Sequence, residues 1–185
     1  LSDSIFVSHP NQINNNITFT DVSCFGGSDA TATAMPTGGT PPYSYLWNIS
    51  PVSNLPTITQ LPIGNYQLTV TDSLGCTSNS NVIIGQPNQL SATANINDVS
   101  CNGGSNGEIS LNINGGNPYS IGPNYTILWS DGQSTNPAIN LSSGFHNVII
   151  TDSTNCSVSY TYTVNEPTYP LSVNLNVENV SCNGY

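Results

Sequence analysis

In 185 residues there is not one lysine or arginine, while ten aspartates and glutamates give a formal net charge of −10. No basic surface exists to neutralise phosphates or anionic headgroups, which excludes nucleic-acid binding and electrostatic attachment to a membrane. Without lysine or arginine partners, each carboxylate must face water, accept N–H bonds or hold a cation. No apolar run reaches the ~18 residues needed to span a bilayer as a helix. Leu1 does not open a signal peptide, and the chain reads as a piece of something longer. Helix formers are scarce. The cysteines are not grouped as Cys-x-x-Cys, nor set beside histidines, as a zinc site requires. His9 and His146 are the only side chains of a type suited to acid–base work near neutrality; they fall at unmatched places in the repeat described below, and neither has an evident nucleophile or acid partner. The expectation is a protein that is not an enzyme.

What is present is Asn, Thr, Ser, Gly and Pro at the polar positions, and Val, Ile, Leu and Tyr at the apolar ones. This is the composition of short strands joined by tight turns. The chain also repeats itself. Thr20-Asp-Val-Ser-Cys-Phe-Gly-Gly-Ser-Asp29 aligns with Asn97-Asp-Val-Ser-Cys-Asn-Gly-Gly-Ser-Asn106, and Glu178-Asn-Val-Ser-Cys-Asn-Gly184 opens a third copy. Cys24, Cys101 and Cys182 give periods of 77 (101 − 24) and 81 (182 − 101). Within each copy Thr37-Gly-Gly-Thr-Pro-Pro-Tyr43 answers Asn114-Gly-Gly-Asn-Pro-Tyr119, Trp47 answers Trp129, and the segments 64–76 and 144–156 both end in Cys. Prolines at the junctions, Pro10, Pro87 and Pro167, fix φ and remove a ladder donor. The expected organisation is the last strand of a preceding copy in 1–10, β-sandwich repeats at 11–87 and 88–167, and the first strand of a following copy in 168–185.

Alternation in Tyr66-Gln-Leu-Thr-Val-Thr puts Tyr66, Leu68 and Val70 on one face, and Ile109-Ser-Leu-Asn-Ile behaves alike; these are half-buried antiparallel strands. In the first copy strands are expected at about 14–23, 29–35, 43–49, 56–61, 65–72 and 77–85. The predicted fold class is all-β: tandem sandwiches of immunoglobulin-like or polycystic-kidney-disease-like topology in a linear array. Trp47 and Trp129, with Tyr66 and Val70, are expected in the two small cores rather than on a sugar-stacking platform. Gly38, Gly39, Gly115 and Gly116 read as turn residues.

The sequence resembles the SprB repeat family of very large surface adhesins in gliding Bacteroidota. The resemblance is carried by Val22, Ser23, Cys24, Gly26 and Gly27; by Gly38 to Tyr43, Tyr45 and Trp47; and by Gly64, Tyr66, Val70, Asp72, Gly75 and Cys76. Copy two departs from the pattern through an insertion at Ser120-Ile-Gly-Pro-Asn124, and by Asn155 where Gly75 stands. The resemblance implies an extracellular protein exported by the type IX pathway, displayed as a cell-surface filament and involved in gliding motility. It supplies no catalytic residues.

Five cysteines in an exported chain read as disulfides. The simplest wiring is intra-repeat, Cys24 with Cys76 and Cys101 with Cys156, with Cys182 free or paired to a following repeat. A full-length first strand would put Cys24 and Cys76 at opposite ends of the module, which instead favours Cys24 with Cys156 across repeats. Cys76 with Cys101, or free thiols, is the third arrangement. No cofactor is expected. Asp29, Asp72 and Asp152 are weak calcium candidates beside turns rich in oxygen donors, with turn-capping the preferred role. Ser73 and Ser153, each after an Asp, resemble O-glycosylation sites of Bacteroidota exports, implying a glycoprotein. The expected function is a stiff stalk and multivalent contact surface in a cell-surface adhesin. Its partners would be neighbouring repeats, a surface polysaccharide or substratum, and other copies in filaments by edge-strand pairing. The alternative is a carbohydrate-binding or accessory module of a secreted enzyme.

Overall fold

The computed structural model describes residues 11–169, 172–173 and 175–176. The expected preceding strand in 1–10, His9, Pro10 and Cys182 lie outside the described residues, as does most of 168–185. The described residues form β-strands and no helix, in the order β1 (Ile17–Phe19), β2 (Ala30–Ala34), β3 (Ser44–Trp47), β4 (Thr57–Leu61), β5 (Gly64–Thr71) and β6 (Thr77–Ile84). The second copy follows with β7 (Ser91–Asn97), β8 (Gly107–Asn114), β9 (Thr126–Trp129), β10 (Ala138–Leu141), β11 (Gly144–Thr151) and β12 (Ser157–Val164).

The strands of the first copy pair antiparallel as β1-β2-β4 and β3-β5-β6, and those of the second as β7-β8-β10 and β9-β11-β12. In each copy this is the A-B-E and C-F-G arrangement of an immunoglobulin-like sandwich that lacks a D strand. The hairpin β5–β6 runs in unbroken register from Gly64 opposite Ile84 to Thr71 opposite Thr77, and β11–β12 does the same from Gly144 opposite Val164 to Thr151 opposite Ser157. Both β2–β4 and β8–β10 carry a register shift, accompanied by positive φ at Gln60 and Asn140. A bulge therefore recurs at the same place in each copy.

Period-two patterning supplies the first core. Ala30, Ala32 and Ala34 of β2 face inward beside Ile58 and Leu61 of β4, and the opposing sheet contributes Trp47, Tyr66, Leu68, Val70, Val82 and Ile84. Small alanines on one sheet leave volume for the indole on the other, the interdigitation that dense packing requires. In the second copy Ile109, Leu111, Trp129, Ala138, Leu141, Val148, Ile150 and Val164 are buried.

The two tryptophans have matching surroundings. Trp47 and Trp129 are almost wholly buried. The Trp47 indole N–H donates to the carbonyl of Leu55 and that of Trp129 to the carbonyl of Thr135, both at 3.1 Å. A buried indole with its N–H satisfied anchors the loop after the strand to the core.

The first strand is shorter than the expected 14–23. Asn16 adopts φ 42°, and Asn14 forms only an isolated bridge to Thr37, so regular pairing starts at Ile17. By contacts the chain divides into two compact units. Among the described residues, the first holds 11–90 together with 114–120 and 152–156, and the second holds 91–113, 121–151 and those from 157 onward. Two loops that the repeat assigns to the second copy thus fold with the first.

Candidate functional site

Cys24 lies in a turn built by its own copy. The Gly27 N–H donates to the Cys24 carbonyl, and the Val22 N–H to the carbonyl of Gly85 just past β6. The Gly26 N–H donates to the Gln86 amide oxygen at 2.8 Å, and the Gly85 N–H to the Asp21 carboxylate at 2.7 Å. Asp29 closes the turn by accepting from the Ser23 N–H at 2.9 Å and from the Ser23 hydroxyl. The Ser23 hydroxyl, and after it the Ser23 N–H, hold the Asp29 carboxyl below its ordinary pKa. The Cys24 turn is therefore fastened to the far end of β6.

Cys76 stands immediately before the first residue of β6. Eight residues of extended strand span about 26 Å, whereas a disulfide tolerates only ~4.4 to 6.8 Å between Cα atoms. The intra-repeat pairing of Cys24 with Cys76 is accordingly not formed, and neither is Cys101 with Cys156. Cys24 is bonded to Cys156, with Cα atoms 5.6 Å apart and 132 residues between them in sequence. Cys76 and Cys101 are exposed free thiols.

Hydrogen bonds around Ser23 frame this junction. The Asn117 side-chain amide donates to the Ser23 carbonyl at 3.0 Å. The Thr154 hydroxyl lies 3.2 Å from the same carbonyl and 2.9 Å from an Asp152 oxygen, with one proton to give. All these residues lie in the first compact unit.

Asp152 organises the loop that presents Cys156. It is fully buried. One carboxylate oxygen accepts from the Asn117 N–H at 2.8 Å, and the other from the N–H groups of Thr154 at 2.9 Å and Cys156 at 3.0 Å. Burial pushes its pKa up, and these donors, led by the Asn117 N–H, outweigh burial and leave it lowered. Asp72 repeats the arrangement, accepting from the N–H groups of Thr40 at 3.0 Å, Leu74 at 3.0 Å and Cys76 at 2.9 Å. The Thr40 N–H is the main cause of its lowered pKa. The glycine pair ahead of each loop is obligatory: Gly39 and Gly116 have φ +60°, and a Cβ at Gly116 would sit 2.7 Å from an Asp152 oxygen. This is the physical content of the Gly-Gly motif.

At the calcium candidates Asp29, Asp72 and Asp152 the carboxylate oxygens accept N–H and O–H donors, which take up lone pairs that a cation would need. Among the described residues no cluster of three His, Cys, Asp or Glu side chains forms a metal site. Ser73 and Ser153 are exposed beside the buried aspartates. The Ser73 hydroxyl donates to the Thr40 carbonyl at 2.9 Å.

His146 occupies a matched position, contrary to the expectation from sequence. It stands two residues after Gly144 as Tyr66 stands two after Gly64. The Tyr66 hydroxyl donates to the Pro62 carbonyl at 2.8 Å, and the His146 Nε2 lies 3.0 Å from the Ser142 carbonyl, each four residues back. The first is the tyrosine corner of immunoglobulin sandwiches, and in the second copy an imidazole takes its place.

The SprB repeat model matches residues 16–50 and 93–134. Among curated proteins nothing matches. Solved structures similar to the chain include the N-terminal four Ig domains of Dscam1 isoform 6.9, at 14% identity and TM-score 0.36, covering 80% of this chain and 42% of that one. The N-terminal eight Ig domains of Down Syndrome Cell Adhesion Molecule isoform 1.30.30 match at the same identity and TM-score, covering 80% of this chain and 24% of that one. The chain therefore spans less than half of either relative.

Proposed function

We propose that the chain, whose residues 16–50 and 93–134 match the SprB repeat model, is a load-bearing stalk segment of a cell-surface adhesin, with polar, uncharged faces that make weak multivalent contacts. The observation that carries this reading is the disulfide from Cys24, in the first repeat, to Cys156, in the second. A covalent bridge across 132 residues gives tension a path that bypasses the backbone between them. Strands β2 to β11, all lying within that interval, carry no load while the bridge is intact.

Several features support placement outside the cell. Disulfides persist in oxidising compartments, and the family resemblance implies export. A surface without Lys or Arg is suited to contacts through hydroxyl and amide groups. Exposed positions of β5 and β6 include Asn65, Gln67, Asn79 and Asn81, and those of β12 include Ser157, Ser159, Thr161 and Thr163. Each contact is weak, and repetition multiplies them through effective concentration. Glycans at Ser73 and Ser153 would extend from the same hairpin tips that hold Cys76 and Cys156.

The test is adhesion of the intact chain, immobilised at one end on beads, to polysaccharide-coated and bare surfaces under flow. Retention that rises steeply with chain density, without saturable binding of soluble oligosaccharide, supports a multivalent stalk. A defined sugar bound by the isolated chain would favour the carbohydrate-binding module instead.

A further inference from the structure

We infer that Cys76 and Cys101 are the two unjoined halves of the same bridge that joins Cys24 to Cys156, and that each is built to bond a further copy of this repeat. In such an array each repeat's early cysteine would bond the late cysteine of the repeat after it. This goes beyond the stalk reading, since a stalk could be built with a single bridge.

The inference rests on the equivalence of each free thiol with a bonded one. Cys101 sits where Cys24 sits. The Gly104 N–H donates to its carbonyl as the Gly27 N–H does to that of Cys24, and the Val99 N–H donates to the Asn165 carbonyl as the Val22 N–H does to that of Gly85. Asn106 accepts from the Ser100 N–H at 3.1 Å in place of Asp29, and Glu166 accepts from the Gly103 N–H at 2.6 Å in place of Gln86. Gly26 and Gly103 share φ 74°.

Cys76 in turn sits where Cys156 sits. Its N–H donates to Asp72 as that of Cys156 does to Asp152. Its carbonyl accepts from the Asp72 N–H at 2.9 Å, as that of Cys156 does from the Asp152 N–H at 3.0 Å. The backbone frames that hold each sulfur in the existing bond therefore recur at the free thiols, with Thr40 and Leu74 standing where Asn117 and Thr154 reach the Ser23 carbonyl, and both thiols are exposed.

Geometry within one copy denies these thiols a mate. Each early cysteine is fastened past the end of the copy's last strand and each late cysteine precedes that strand's start, so the mate must come from another repeat. The third copy of the motif, opening at Glu178, shows that the sequence provides further copies of the early half.

Bond formation balances as an exchange with a small-molecule disulfide: two thiols lose two protons and two electrons, one S–S bond forms, and the oxidant is reduced to two thiols. Overlap gives the ladder its mechanical character. The bridge spans 132 residues, longer than one period of 77 or 81 residues. Successive bridges therefore overlap, and no stretch of backbone in the interior of an array lies in the load path without a covalent bypass.

Two full-length variants test the inference, both carrying Cys182→Ser: one with Cys76→Ser, which keeps Cys101, and one with Cys101→Ser, which keeps Cys76. Neither substitution touches the existing bridge. Mixed and oxidised with oxidised glutathione, they should give a heterodimer joined through Cys76 and Cys101, roughly tenfold over either homodimer, the ratio set by a docking preference of about 1.4 kcal/mol. Heterodimer no more abundant than random pairing gives, or a mixture that stays monomeric, would overturn it. A chain carrying Cys182→Ser alone should form head-to-tail multimers, and closure of Cys76 onto Cys101 within one chain would also overturn it. These outcomes are read from covalent connectivity, independently of any adhesion.

Discussion

Pulling the chain by its ends distinguishes the bridge seen here from the intra-repeat wiring that the sequence first suggests. With Cys24 joined to Cys156, force passes through the sulfurs, and the 132 backbone links between them stay out of the load path. At about 3.4 Å per residue the hidden length is about 450 Å, against a folded Cα separation of 5.6 Å. Reduction, or Cys156→Ser, should therefore lengthen the fully unfolded chain by about 450 Å in single-molecule force spectroscopy. Intra-repeat bridges would instead hide 52 links (76 − 24) and 55 links (156 − 101), about 180 Å each. Cys76→Ser serves as control, because its thiol is free. An oxidised chain in which Cys76→Ser lengthens the trace, or in which Cys156→Ser does not, would refute the load-bypass reasoning.

Further outcomes concern stability. Closing a loop of this size contributes about 5 kcal/mol in the chain-entropy model, so Cys156→Ser should lower the urea midpoint by roughly 2.5 M at an m-value near 2 kcal/mol/M, while Cys76→Ser should leave it nearly unchanged. Trp47→Ala and Trp129→Ala should each cost about 3 to 5 kcal/mol by urea titration, as complete burial of an indole dictates. Tyr66→Phe removes the hydroxyl bond to the Pro62 carbonyl and should cost about 1 kcal/mol. Asp72 and Asp152 have folded pKa values below the unfolded ~3.9, so the stability they add is complete above that value and is lost as pH falls through their folded values. Melting temperature should hold from pH 7 to about 5 and drop towards pH 2, less so for Asp152→Ala, which already lacks one acceptor.

Much of this architecture was legible in the chain because the repeat is written twice. Alternation along Tyr66 to Thr71 and the Gly-Gly and Ser-Leu-Gly turns placed five of the six first-copy strands within about two residues of their observed ends. The exception, β1, is cut short by the positive φ at Asn16, a local conformation that apolar periodicity does not encode. The role of His146 was hidden by residue type: an imidazole and a phenol look unrelated in a one-letter comparison, although each reaches back to a carbonyl four residues earlier. Its position relative to Gly144 was the available signal. The aspartates were seen near turns, but that Asp72 and Asp152 each also accept an N–H from a loop more than 30 residues earlier depends on the sheets being folded. Cysteine pairing was the least legible feature. Spacing and chain entropy favour closing the shorter loop, and only the placement of Cys24 beside Gln86, at the far end of β6 from Cys76, decides against it.

Digestion of the oxidised protein without reductant, followed by mass spectrometry of the cross-linked peptides, is the most direct check on the covalent path between the repeats. A peptide containing Cys24 should be recovered joined to one containing Cys156. Recovery of Cys24 joined to Cys76, or of Cys101 joined to Cys156, would contradict it.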